Sequence, residues 1–155
     1  MTLPIVVVAH NIRSLWNVGS LFRSSEGFGV SHVHLTGYTA CPPRKEISKT
    51  ALGAERWVPW SHGQDPMTVI EQRKQEGYEI ISLEKTPKSR PITDYVPCRP
   101  MCLIVGHEIL GVDHELLSCS DAVLHIEMMG NKESFNVAVA AGIALFSLRC
   151  TEPKV

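Results

Sequence analysis

The sequence predicts an α/β fold built on a mostly parallel sheet. Five short apolar runs rich in Val, Ile and Leu recur along the chain, and segments with helix start and stop signals fall between them. Several of the runs are apolar at every position rather than at alternate ones, as in strands buried on both faces of a parallel sheet.

The elements follow in order. Residues 5–9 form a continuous β-branched run that ends in polar His10 and Asn11, where a functional loop can begin. Residues 17–28 read as a helix with Leu21, Phe22 and Ser25 on one side, closed by Gly27 and Gly29. Residues 30–35 are a second strand. Residues 36–50 are loop-like, with Gly37 and Pro42-Pro43, and lead into a short helical turn at 47–52. Asp65-Pro66 starts a helix, Asp as N-cap and Pro at the first position, and Gly77 ends it. A third strand spans 78–83, and a polar, Pro-rich loop spans 84–100. Met101–Val105 is a fourth strand, 113–117 a short helix and 122–126 a fifth strand. The final helix, 135–149, is apolar almost all round, so it is expected to be covered on more than one side, the second cover being another subunit.

The 155 residues fit one domain, taken as 1–155, with no internal repeat and no linker. Hydrophobic residues make up 44% and charged residues 20%, which excludes a disordered or low-complexity chain. The five cysteines show no C-x-x-C pair, so reduced thiols are expected. The N-terminal apolar run is too short for a signal peptide, and no stretch is long enough to span a bilayer. A cytoplasmic protein without a membrane segment is expected. A net charge of −1 taken alone argues against nucleic acid. The charge is segregated, however: residues 1–102 carry 12 basic and 9 acidic side chains, and residues 103–155 carry 3 and 7.

Three polar segments follow strands, where α/β sheets bind ligands. They are NIRSLWNVGSLFRSSEGFGV at 11–30, LIVGHEILGV at 103–112 and IEMMGNKESFN at 126–136. None is a dinucleotide or P-loop motif. Together, in order and spacing, they resemble the three signature motifs of the SpoU/TrmH family, a branch of the SPOUT superfamily of RNA ribose 2′-O-methyltransferases. The segment PPRKEISKTALGAERW, 42–57, is similar to the loop after the second strand in small members.

The resemblance implies a deep C-terminal trefoil knot, which periodicity cannot reveal. It implies S-adenosyl-L-methionine as cofactor, no metal, and a homodimer with the active site near its interface. Asn17 and Arg23 match the first motif. The resemblance places Arg23 at the RNA phosphate or ribose, where its planar fork of donors suits phosphate. An ion pair with Glu26 is its structural alternative. Gly106, Glu108 and Gly111 match G-x-E-x-x-G. Glu108 would hold Arg23 or position substrate, or else serve as an ordinary helix-capping carboxylate. Ser134 and Asn136 match Ser-x-Asn, with Ser134 a candidate cap for the final helix. The expected catalytic set is Arg23, Asn17, Glu108, Ser134 and Asn136. The expected cofactor contacts are Leu83, Gly106, Ile126, Met128 and Ser134. His107 lines the cleft in this reading; an imidazole there is also a possible general base.

Other features have plainer readings. His32 and His34, two apart on a strand, read as surface strand residues rather than metal ligands. Cys98 and Cys102 lack zinc spacing. Trp16, Trp57 and Trp60 read as core, with base stacking as the alternative. Arg44, Lys45 and Lys49, with Lys85, Lys88 and Arg90, together frame an RNA-binding face around Arg13 and Arg23; alone, each cluster is a solvated loop. The resulting expectation is transfer of a methyl group to a ribose 2′-OH, of tRNA rather than rRNA. The alternatives are an inactive RNA-binding or ribosome-assembly relative, and methylation of a base.

Overall fold

A computed structural model describes residues 2–153. The elements are β1 (Ile5–His10), α1 (Leu15–Gly27), β2 (His32–Thr36), α2 (Lys45–Ala51), β3 (Trp60–His62), α3 (Pro66–Gln75), β4 (Glu79–Leu83), β5 (Arg90–Pro91), β6 (Met101–Val105), α4 (His114–Ser118), β7 (Ala122–His125) and α5 (Val137–Thr151). Short 3-10 turns occur at Ala54–Arg56 and Ile92–Asp94. The strands form one sheet in the order β3-β2-β1-β6-β4-β7-β5, and every pairing between them is parallel. β6 lies between β1 and β4, so the chain re-enters the middle of the sheet late.

The apolar runs are buried as expected, all six residues of β1 and all five of β6. Successive side chains point to opposite faces, and the core divides accordingly. Val7, Leu103 and Ile81 pack with Leu21 and Phe22 of α1 and Leu145 and Leu148 of α5. Val6, Val8, Cys102 and Ile104 pack on the other side with Val69 and Ile70 of α3 and Leu116 of α4. At Gly19 an added Cβ would collide with the Thr50 hydroxyl and the Ile47 carbonyl, so the glycine lets α1 and α2 touch closely.

Several expectations are corrected. α1 begins at Leu15 because the Ser14 hydroxyl accepts from Asn17 N, so Asn17 sits within the first turn. β3 and β5 were not expected; at three and two residues they are too short to carry a pattern. His34 is 4% exposed, not a surface residue, and its ring lies 4.3 Å from that of half-buried His32. Both rings meet the Ser61 hydroxyl at 3.0 Å, and Arg73 reaches His34 Nε2 at 3.2 Å. Burial, helped by the neighbouring His32 and Arg73, pulls the His34 pKa down to about 4. Trp16 and Trp57 are exposed rather than core, and only Trp60 packs against it. Among the described residues, no group of three or more His, Cys, Asp or Glu is placed to hold a metal. No helix among them is long and apolar enough to cross a membrane.

Candidate active site

The carboxyl ends of β4, β6 and β7 open into a cleft of about 400 Å³. Its walls include Leu83, Gly106, Ile126, Met128 and Ser134, the five residues expected around a cofactor, together with His107 and Glu108. The three strand ends are brought together by β6 pairing with β4 and β4 with β7.

The loop from Gly106 to Asp113 forms one side of the cleft and is fastened at several points. A bridge joins His107 and Gly111, with N–H to carbonyl distances of 3.1 and 2.9 Å. Gly106 faces this bridge so closely that an added Cβ would overlap the Gly111 carbonyl and lie 2.7 Å from Val112 Cα. Glu84 accepts from Val112 N at 3.0 Å, and its carboxylate occupies the space a side chain at Gly111 would need. Gly111 also has φ of +73°, which favours glycine. Below the loop, buried His10 bridges Thr36 Oγ1 (2.9 Å) and Asp113 Oδ2 (3.0 Å). Glu84 was missed from the sequence; the available signal is a carboxylate placed directly after a buried strand.

His107 Nδ1 accepts from the backbone N–H groups of Ile109 (3.0 Å) and Leu110 (3.1 Å). This network assigns the ring proton to Nε2. The Nδ1 lone pair thus holds the loop, and the other nitrogen of the neutral ring is a donor.

Glu108 does not pair with Arg23. Its Oε2 accepts from Arg13 N at 2.9 Å; its Oε1 accepts from Ser14 N at 2.9 Å and from Asn17 Nδ2 at 3.0 Å. These donors lie at the start of α1, where a negative charge meets free N–H groups and the positive end of the helix dipole. Burial opposes the charge, but these hydrogen bonds outweigh it and hold the Glu108 carboxyl below the ordinary carboxylate range. Asn17 Oδ1 in turn accepts from Asn136 Nδ2 at 3.1 Å. Asn136, not Ser134, caps α5: its Oδ1 accepts from Ala138 N and Val139 N. The short amide reaches the first-turn donors directly, while Ser134 is left to line the cleft. Glu108, Asn17 and Asn136 therefore form one hydrogen-bonded chain joining the cleft loop to the starts of α1 and α5.

Arg23 stands apart from that chain. It is exposed, makes no ion pair with Glu26 or Glu108, and lines a shallow pocket with Ser20, Ser24, Lys49 and Thr50. That pocket shares no residue with the cleft. Beside it an apolar groove runs between α1 and α5, lined by Phe28, Val139, Ile143 and Phe146.

Fold and cleft define an α/β protein with an open cleft at the carboxyl ends of its central strands. The chain belongs to the SpoU rRNA Methylase family, which it matches over residues 4–146. It is 27% identical over 145 residues to the tRNA (guanosine(18)-2′-O)-methyltransferase of Borreliella burgdorferi, covering 91% of this chain and 64% of that one. It is 29% identical to the mouse tRNA (guanosine(18)-2′-O)-methyltransferase TARBP1, covering 96% of this chain but only 10% of that protein. The chain thus spans less than two thirds of either relative. Among solved structures, an AdoMet-bound rRNA methyltransferase from Sinorhizobium meliloti superimposes with a TM-score of 0.88 at 24% identity, covering 95% of this chain and 56% of that one. The TrmH/SpoU tRNA modifying enzyme of A. aeolicus gives 0.86 at 24% identity, covering 95% and 74%. These superpositions establish the shared fold.

Proposed function

We propose that the protein is an S-adenosylmethionine-dependent RNA methyltransferase acting on a ribose 2′-OH, of tRNA rather than rRNA. The observation that carries this reading is the convergence of Leu83, Gly106, Ile126, Met128 and Ser134 on one cleft, with the Glu108–Asn17–Asn136 chain at its rim. The cleft's volume lies within the range of small-molecule sites. Gly106 lets the 106–113 loop close tightly on itself at the cleft wall, and Leu83, Ile126 and Met128 offer apolar walls to a purine. Such a site fits the cofactor.

When bound, S-adenosylmethionine supplies a sulfonium methyl group open to attack by an oxygen nucleophile. The chain's residues act by positioning and electrostatics. Glu108 fixes the start of α1 and the amide of Asn17. Asn136 and Ser134 present polar groups at the start of α5. Arg23, always charged, orients the ribose phosphate and stabilises developing negative charge rather than removing a proton. Because Arg23 shares no wall with the cleft, it is supplied across the α1–α5 groove by a second copy, which makes the active unit a homodimer. Exposed Val139 and Phe146 support that contact. The late entry of β6 between β1 and β4 supports the trefoil knot. The joined and intact Asn17, Glu108 and Asn136 weigh against an inactive relative. The names of the tRNA-modifying relatives favour tRNA, and five free cysteines accord with the cytoplasm.

The test is calorimetric titration with S-adenosylmethionine, followed by transfer of labelled methyl to bulk tRNA and to bulk rRNA. Nuclease digestion and mass spectrometry then locate the methyl. Micromolar binding and a ribose label on tRNA are expected. Absence of binding by the folded dimer, or a base label, rejects the reading. Near-wild-type transfer by Arg23→Ala rejects the role given to Arg23.

A further inference from the structure

The α1–α2 side of the molecule carries a surface that the cleft does not use. Trp57 is 80% exposed at the end of the 3-10 turn after α2, and Trp16, in the first turn of α1, is 47% exposed. Leaving large aromatic rings in water forgoes burial that would stabilise the fold, so such rings mark a contact surface. Leu52 repeats the pattern: it takes a left-handed conformation with φ of +50° and remains 65% exposed.

The fully exposed charges of the segment that carries Trp57 have one sign. In residues 42–57 the exposed charged side chains are Arg44, Lys45, Lys49 and Arg56, while Glu46 and Glu55 are half-buried. The Lys49 ammonium lies 5.5 Å from the centroid of the Trp16 ring. Lys49 also lines the shallow pocket that holds Arg23, so the basic strip meets the family's motif arginine. The support is firm: the Thr50 hydroxyl donates to the Trp16 carbonyl at 2.8 Å, and Gly19 locks α1 against α2.

We propose that this face binds an unpaired stretch of RNA outside the cleft, with Trp57 stacking on a base and the Lys and Arg side chains taking its phosphates. Exposed aromatic faces set among cations are what a flexible polyanion with stacking bases requires. Self-association through the same patch would oppose like charges. The choice of RNA among polyanions rests on the methyltransferase reading.

The test titrates the full chain with a labelled twelve-residue oligouridine and with bulk tRNA. Trp57→Ala and Lys45→Glu/Arg56→Glu are compared with wild type, and sedimentation follows the oligomeric state. Because these residues are exposed, the variants are expected to fold. The proposal expects Trp57→Ala to weaken oligouridine binding about tenfold. The charge variant should bind more weakly still and lose at least one unit of the slope of log affinity against log salt. S-adenosylmethionine affinity should stay at the wild-type value in both. Wild-type oligouridine affinity in Trp57→Ala overturns the proposal. So does a changed oligomeric state in Trp57→Ala with RNA binding intact, which would make the patch a protein contact. Failure of the methyltransferase reading is separately visible as absence of S-adenosylmethionine binding in wild type.

Discussion

Replacing Glu108 separates what its charge does from what its two oxygens do. In Glu108→Gln the retained oxygen can keep the two donors now on Oε1, Ser14 N and Asn17 Nδ2. The new amide then faces Arg13 N, an exposed donor that water can satisfy. The loss is one charge-assisted bond and the interaction of a carboxylate with the start of α1, together about 1–2 kcal/mol. Glu108→Ala strips all three donors and should cost about 3 kcal/mol. Urea unfolding at neutral pH reads both as shifts in midpoint with unchanged slope. The carboxyl is held below its ordinary range, so its stabilisation is present above the unfolded-state value near pH 4 and fades as pH falls through the folded value. The Gln variant should lack that acid-side decline. Wild-type midpoints in both variants would refute the idea that Glu108 fastens α1 to the cleft loop. A Gln variant as unstable as Ala would refute the division between charge and acceptor geometry.

Three further outcomes follow from the geometry. His34 has a folded pKa of about 4 against 6.5, so stability is full above pH 6.5 and declines as pH falls toward 4, by about 1–2 kcal/mol after allowance for solvent screening; thermal melts from pH 7 to 5 should show a decline that His34→Gln flattens. Gly106→Ala drives a methyl into the backbone of Gly111 and Val112, so calorimetry should show S-adenosylmethionine affinity reduced at least tenfold while the circular dichroism spectrum is kept. Phe146→Glu places a charge on the apolar α1–α5 groove, and sedimentation should report a monomer with its cofactor affinity intact.

The buried strands were legible because continuous β-branched runs have few other uses, and 5–9 and Met101–Val105 appear nearly as read. β3 and β5 were not, because Trp60–His62 and Arg90–Pro91 are defined by their neighbours rather than by any pattern of their own. The cleft walls were legible through the second and third motifs, which follow β6 and β7, whereas Arg23 of the first motif lies apart from the cleft. The fastenings were not. Glu84 and His107 act on backbone N–H groups, which are identical in every sequence and become specific only when the fold brings them near. The same limit hid the burial of His34, set by β3, Arg73 and Gln64. It also hid the exposure of Trp57. The net charge of −1 conceals a local basic face, and local potential governs association with a polyanion.

The central claim, methyl transfer to a ribose 2′-oxygen, is tested most directly in cells. Nucleoside mass spectrometry of tRNA and rRNA would compare a strain lacking the gene with its parent. The account predicts loss of a 2′-O-methylated nucleotide from tRNA, restored by the wild-type chain and not by Arg23→Ala. Unchanged ribose methylation, or loss of a base methyl group instead, would contradict it.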